Sequence, residues 1–410
     1  MKLFPFCLLF FCGSVCAQSA TSSPNAQCFE DYQFLIDALK NTPSYKAQIK
    51  GDKRKAFQEF ARSVEKDILQ DESIEIHCRM YLQQVLYQVR DWHLLIGSSK
   101  EEDPDLLKKR EQLIPGTDLS PAALREKATT SAATDPLAGI YFSSDSSLTL
   151  SVYPKEDKQL AGVVLHSTDG RWEPGTIKFL IDKTGDRTSG YVYSTGREAL
   201  YFEDHSPGRL LDRWGYRKAG DTPVFYRPEK KDQKHGWEDL GNGIAYLYLS
   251  TFKGSTANIR ELRKLYEQLL PQLPRFQHLV IDIRDNGGGG QVCYNPFLEG
   301  LDKMSQAPQL HLMINRNTAS AAEHFTLEMR SRGATIYGEN TAGAINYRYP
   351  NKSKKNWPLY TPNFQYRLLL SVAKNPKKYR DLSSESTGIT PDCSLRFQQD
   401  WLEQVLEKIQ

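Results

Sequence analysis

The chain has 410 residues, 39% of them hydrophobic and 25% charged, which is ordinary globular composition and enough length for two or three packed units. Its 53 Lys and Arg against 50 Asp and Glu leave a net charge of +3. Spread over this length, that charge gives no argument for a nucleic-acid or membrane-surface partner.

Lys2, the apolar run from Leu3 to Cys12 and the small-residue stretch Gly13-Ser14-Val15-Cys16-Ala17 predict a secretory signal peptide over residues 1–17. The run is too short to span a bilayer. Lipid attachment at Cys16 is the alternative, although Val15 stands where a small residue is usual. The mature chain is expected to be soluble and exported, to a periplasm or out of the cell. Four cysteines then remain, Cys28, Cys78, Cys293 and Cys393, which allow three pairings. Cys28 with Cys78 would staple two N-terminal helices, and Cys293 with Cys393 would tie a glycine-rich loop to the C-terminal segment. Four free buried thiols are the other reading. Without a CxxC spacing, redox catalysis and structural zinc are poor readings.

Apolar residues recur at helical spacing over residues 18–97. Phe29, Tyr32, Leu35, Ile36 and Leu39 share one face, Phe57, Phe60, Val64 and Ile68 a second, and Met80, Val85, Leu86 and Val89 a third, with Ser73 as an N-cap. This predicts a small helical domain. Residues 98–134 are charged and Pro-containing and read as a linker with one short helix near Pro121 to Lys127. Alternating runs such as Leu148-x-Leu150-x-Val152 and Ile177-x-Phe179-x-Ile181, separated by glycines, predict a compact, mostly antiparallel β-domain over 135–228. Over 229–410, strands alternate with helices: Ile244 to Leu249, a helix face from Ile259 to Leu269, Leu279 to Ile283, Leu310 to Ile314, a helix from Thr318 to Arg330, and Ala334 to Tyr337. That order predicts an α/β core.

Two segments of this core could carry chemistry. Asp282-Ile283-Arg284-Asp285-Asn286 leads into four consecutive glycines, Gly287 to Gly290, directly after a strand. Bare backbone there can present N–H groups to an anion or a developing oxyanion, and a tight turn is the plainer explanation. No GxGxxG and no following Lys-Ser or Lys-Thr supports a phosphate loop. Then Asn315-Arg316-Asn317-Thr318-Ala319-Ser320-Ala321-Ala322-Glu323-His324 opens a helix with small residues. Taken alone, Ser320 or Thr318 reads as an N-cap, and a serine needs a base before it attacks anything.

Together with Gly338-Glu339-Asn340-Thr341-Ala342-Gly343 and Glu385-Ser386-Thr387-Gly388-Ile389-Thr390-Pro391-Asp392, these segments resemble, in order and separation, the tail-specific (C-terminal-processing) serine peptidase family. The resemblance implies a crotonase-like, Clp-protease-like β-β-α spiral in the core. It also implies Ser320 as nucleophile and an oxyanion hole from the Ala321 N–H and the Gly288 amide. Where the bacterial members carry a lysine base, this chain has Ala344, and Lys352, Lys354 and Lys355 lie in a polar segment. The chain is therefore closer to the tricorn-like and retinoid-binding-protein-like branch, whose histidine precedes the core and whose glutamate lies three residues before a Gly-x-x-Pro-Asp motif. Here those positions are His93 and Glu385, with Trp92 and Ala321 where that branch has a serine and an aspartate. Ser383 or Ser384 could stand in for the missing serine.

The implied activity is acyl-enzyme cleavage of unfolded or extended peptide segments, with His93 as base and Glu385 holding the imidazole. The alternative is a catalytically silent protein of the same fold that binds peptide or an apolar ligand, and an esterase could use the same triad. Residues 135–228 sit where the best-known members carry a PDZ module, yet lack its glycine-leucine carboxylate-binding loop. No histidine shows metal-ligand spacing, so no metal and no cofactor is expected.

Overall fold

Three helix starts in the N-terminal third are written by a hydroxyl residue followed by proline. Ser23-Pro24, Thr42-Pro43 and Ser120-Pro121 each begin a helix, and each hydroxyl accepts a backbone N–H three residues on, at 3.2–3.3 Å. Proline supplies the first helical φ and has no N–H to leave unpaired. The structure is a computed structural model, and it describes residues 22–98, 104–184, 187–204, 211, 214–220, 234–350, 357–380, 385, 387–397 and 399–409. The leader expected over 1–17, Lys352, Lys354, Lys355, Ser383 and Ser384 lie outside the described residues.

Helices α1 (Pro24–Lys40), α2 (Pro43–Gln48), α3 (Asp52–Gln70) and α4 (Ile74–Tyr87) bury Tyr32, Leu35, Phe57, Val64, Leu82 and Val85 in one core. The Cys28–Cys78 disulfide joins α1 to α4. Ser73 stands at the N-cap of α4 but makes no side-chain cap; instead its N–H donates to Asp71 Oδ1 at 2.7 Å. Strand β1 (Leu95–Gly97) follows, then α5 (Pro104–Leu113) and α6 (Pro121–Ser131), two helices where the charged composition predicted one. The charge itself concealed α5: its inward residue is Arg110, buried and paired to Glu198 at 3.0 Å.

Strands β2 (Gly139–Ser143), β3 (Leu148–Glu156), β4 (Gln159–Ser167), β5 (Ile177–Thr184), β6 (Arg187–Tyr193), β7 (Ala199–Asp204) and β8 (Tyr216–Lys218) form an antiparallel sheet in the order β7-β6-β5-β4-β3-β2-β8. One face packs Leu150, Val152 and Phe179 with Ile76 and Met80 of α4, and the other packs Ala161 and Val163 with Leu124 of α6.

The remaining chain contributes β9 (His235–Asp239), β10 (Ile244–Leu249), α7 (Thr256–Leu269), β11 (His278–Asp282), α8 (Asn295–Asp302), β12 (Gln309–Ile314), α9 (Ala321–Ser331) and β13 (Thr335–Gly338). The short strands β14 (Tyr347–Arg348), β15 (Leu359–Tyr360), β16 (Arg367–Leu369), β17 (Ala373–Lys374) and β18 (Cys393–Ser394) and helix α10 (Trp401–Ile409) complete it. The sheet β18-β13-β12-β11-β10-β9 is parallel except at β9. Both its faces are covered, so its strands read as continuous apolar runs. Those two faces also explain why the second disulfide does not form. Cys293 is buried in the cluster on one face and Cys393 packs on the other, and both are free thiols.

The two ends of the chain meet at a small antiparallel sheet, β1-β16-β15, whose Tyr366, Leu368 and Leu370 enter the helical core. Buried Asp31 of α1 secures the turn between β15 and β16, accepting the N–H groups of Asn363 (2.7 Å) and Phe364 (2.8 Å). Removing a buried charged acceptor from two amides costs about 2–4 kcal/mol. Asp31→Ala is expected to lower the urea midpoint by that equivalent; an unchanged midpoint would show that this contact does not hold the two ends together.

Candidate active site

Two loops at the C-terminal ends of parallel strands build the site, where an open α/β sheet normally binds its ligands. The first leaves β11. Asp282 and Arg284 form a buried ion pair at 2.6 Å, with the Tyr246 hydroxyl donating to Asp282 at 2.7 Å, so the strand end is rigid. Asn286 then joins three segments. Its Nδ2 donates to Leu249 O (2.9 Å), its carbonyl accepts the Ala319 N–H (3.0 Å), and its Oδ1 accepts the Gly288 N–H (3.0 Å). Gly288 and Gly289 have φ of 89° and 142°, and their neighbours leave no room for a side chain. A Cβ at Gly288 would lie 2.4 Å from Ala319 O and 2.8 Å from Ala321 N; one at Gly289 would lie 1.9 Å from Phe252 O. Gly288 is glycine because its backbone presses on the second loop, and Gly289 because its backbone presses on the segment after β10.

That second loop ends β12 and starts α9 at Ser320. Ser320 has φ 55° and ψ −115°, rare for a residue with a Cβ, which is why the helix begins at Ala321 and not at Thr318. Glu323 sustains this conformation. Its fully buried carboxylate accepts the N–H of Ser320 (2.7 Å), of Ala344 (2.8 Å) and of Gly343 (2.8 Å), and the Thr341 hydroxyl (2.6 Å). Burial pushes the Glu323 carboxyl up, while these four donors pull it back.

His93 reaches this point from the other end of the chain. After α4 the backbone turns at Asp91, whose Oδ1 accepts the His93 N–H at 2.9 Å, and β1 pairs with β16. The imidazole is 5% exposed, packs edge-on against Tyr349, and sets Nε2 3.3 Å from Ser320 Oγ. Ser320 and His93 are thus brought together across 227 positions of sequence.

Glu385 is not brought to the imidazole by any hydrogen bond. Its Oε2 accepts from Asn346 N (2.8 Å), Asn346 Nδ2 (2.7 Å) and Ile345 N (3.3 Å), and its buried Oε1 has no hydrogen-bond partner among the described residues. Asp91 Oδ1 lies 3.5 Å from His93 Nδ1, an ion-pair distance and not a hydrogen bond, so the buried Nδ1, like Glu385 Oε1, has no hydrogen-bond partner among the described residues. A two-residue Asx turn carries Asp91 there, and its Oδ2 accepts the Ser371 hydroxyl at 2.6 Å. The pair of oxyanion donors also differs from the expectation. Ala321, as first residue of α9, has no intrahelical acceptor for its N–H. The Gly288 N–H already donates to Asn286.

Sequence reasoning passed over Asp91, Ser371 and the part played by Glu323. Ser320-x-x-Glu323 is a capping-box spacing, and Asp91-x-His93 is an Asx-turn spacing, so two of the three had a local signal. Beside the site, His324 stacks on Tyr379 and donates Nε2–H to Ile345 O at 3.1 Å; burial lowers its pKa to about 4, leaving it neutral.

No protein-family model and no curated protein matches the chain. Among solved structures it aligns with mature CPAF (11% identity, TM-score 0.45, 95% of this chain and 97% of that one). It also aligns with the photosystem II D1 C-terminal processing protease (14%, 0.39, 94% and 97%) and with tricorn protease (12%, 0.42, 95% and 37%). Likenesses with TM-scores below 0.5 carry no argument about activity, so the geometry above has to.

Two outcomes are expected here. Burial pushes Glu385 from 4.5 up to about 8, so the folded chain holds that proton more tightly than the unfolded chain does. The resulting stability is complete below pH 4.5 and is lost as pH rises through 8. The loss is on the order of 4 kcal/mol. Urea midpoints at pH 5 and pH 9 should therefore diverge more for wild type than for Glu385→Gln; equal divergence would mean that Glu385 titrates normally. Gly288→Ala, which forces a side chain against Ala319 O, should cut reaction of Ser320 with a fluorophosphonate probe on the order of 10²-fold.

Proposed function

We propose that this chain is a serine peptidase that cleaves unfolded or extended peptide segments through an acyl-enzyme on Ser320. The observation that carries the reading is the 3.3 Å approach of His93 Nε2 to Ser320 Oγ, with the serine at a helix N-terminus and a glycine loop against it. The solved structures of mature CPAF, the D1 processing protease and tricorn are consistent company but add no weight.

In the proposed reaction His93 removes the Ser320 proton as Oγ attacks the peptide carbonyl. The oxyanion then forms near the Ala321 N–H, at the positive end of α9. Collapse of the tetrahedral intermediate sends the His93 proton to the leaving amine, and water, deprotonated by the same imidazole, releases the acyl group. Asp91 stabilises the imidazolium and fixes its orientation, the role expected of Glu385 from sequence; Glu385 holds the Asn346 turn below it. We take the core as a crotonase-like spiral, preceded by helical and β-rich units. The Cys28–Cys78 disulfide favours an oxidising compartment, secreted or periplasmic. No helix among the described residues is long and apolar enough to cross a membrane.

The second reading, a binding protein that has lost turnover, is favoured by one observation: the Gly288 N–H is engaged by Asn286 Oδ1 and not free for an oxyanion. Fluorophosphonate labelling of the chain lacking residues 1–17 separates the two. Under the peptidase reading wild type labels, Ser320→Ala does not, His93→Ala slows labelling about 10³-fold and Asp91→Ala about 10²-fold, while Glu385→Gln stays near wild type. Absence of wild-type labelling would favour the binding protein. Labelling that survives His93→Ala would remove the proposed base, and a loss in Glu385→Gln but not Asp91→Ala would return the orienting role to Glu385.

A further inference from the structure

At one end of the seven-stranded sheet, a cavity of about 210 Å³ opens between the β2–β3 and β4–β5 connections and the segment before β8. None of its lining residues takes part in the arrangement around Ser320. Its walls include Trp172, Trp214 and Tyr216, and on one side it meets the side chain of Lys178 on β5. Lys178 is 6% exposed.

The charges around this lysine do not balance. An ammonium has three N–H donors. One is accepted by Tyr193 O, and the Nζ lies 3.8 Å from the centre of the Trp172 ring. Among the described residues no carboxylate pairs with it. The charged groups acting on it are two further cations, Arg197, whose guanidinium is 4.1 Å from the same ring, and Arg171. Each guanidinium already has an acid of its own, Glu111 for Arg197 at 2.7 Å and Asp169 for Arg171. Burial, reinforced by those two cations, lowers the Lys178 pKa to about 7. Keeping an unpaired ammonium out of water is costly, whereas a methionine or leucine would fill the same space without that cost.

We propose that this cavity is a binding site for a carboxylate carried on a flat apolar body, with Lys178 as the counter-ion and Trp172, Trp214 and Tyr216 as the walls. The ligand class follows from the one wall cation that has no acid of its own and the aromatic walls beside it. Lys178 is the one lining cation without an ion pair among the described residues; the other lining charges are the Arg171–Asp169 pair and Asp145, whose carboxylate is held by Ser143 and Ser147. A dianion such as phosphate would exceed the charge of Lys178, and Asp145 at the lining disfavours extra negative charge. The same carboxylate chemistry is offered by a small aromatic acid and by the terminus of a peptide ending in an aromatic residue.

Isothermal titration of the chain lacking residues 1–17 tests this, using benzoate, benzamide, inorganic phosphate, and N-acetyl-Ala-Phe as free acid and as C-terminal amide. The expected result is binding of benzoate, of the peptide acid, or of both. The matching amide should bind about tenfold or more weakly, because it lacks the charge-assisted bond. Binding of benzoate alone assigns a free small acid, and binding of the peptide acid alone assigns a peptide terminus. Lys178→Met should abolish the preference for acid over amide while leaving the thermal midpoint at or above that of wild type. The acid–amide contrast in wild type needs no variant, so the test stands even if Lys178→Met fails to fold. Failure of both acids to bind, equal binding of acid and amide, tighter binding of phosphate than of benzoate, or full acid affinity in a folded Lys178→Met would each overturn the proposal.

Discussion

The buried carboxylate of Glu323 is the point on which the candidate site depends. A carboxylate removed from water is tolerable only when its lone pairs are filled, and this one accepts four donors from two segments. One of them is the N–H of Ser320 itself. The remaining three come from Thr341, Gly343 and Ala344, which follow β13. A single ionisable group therefore fixes the serine's unfavourable backbone angles and docks the loop running toward Asn346 and Glu385. Thr341 extends the link by accepting the Ile389 N–H at 2.7 Å. The glycine loop is tied in separately through Asn286, so Ser320, the glycine loop and the C-terminal segment are one hydrogen-bonded body.

His93 belongs to a different body, the helical unit, and its distance from Ser320 is set by how the two are clamped. The clamp is mixed in character. Apolar residues of β16 enter the helical core, Asp31 holds the turn beside them, and Ser371 donates to Asp91 just behind the imidazole. Position therefore comes from the docking of chain ends, while the local turn at Asp91 holds the His93 backbone and Tyr349 packs against the ring.

Much of this was legible in the sequence. Apolar alternation and continuous apolar runs marked both sheets, small residues after a strand marked Ser320, and four glycines marked a place where backbone meets backbone. What was not legible depended on direction. Arg110 reads as solvent-facing until Glu198, far along the chain, is placed against it. Cys293 and Cys393 suit a disulfide in a linear sequence, but Cys293 follows β11 onto one face of the sheet while Cys393, on β18 at the sheet's edge, packs on the other. Glu385 has the offset expected of an orienting carboxylate, yet its accepting atom is turned toward Asn346. Asp91, two residues from His93, is a local feature that a search for distant partners overlooked.

Helix α4 has no solvent side. Every one of its residues from Ile74 to Tyr87 is buried or half-buried. One face lies in the helical core and the other against the antiparallel sheet, where Arg79 reaches Glu198 at 3.1 Å and Gln83 accepts the Tyr201 N–H at 2.8 Å. Such an element cannot drift by independent changes. A substitution on either face must be answered in a neighbouring unit, and the histidine at its far end inherits the constraint. The helix that leads into His93 is thereby held from two sides, and its side chains have less freedom to change than those of a helix with one face in water.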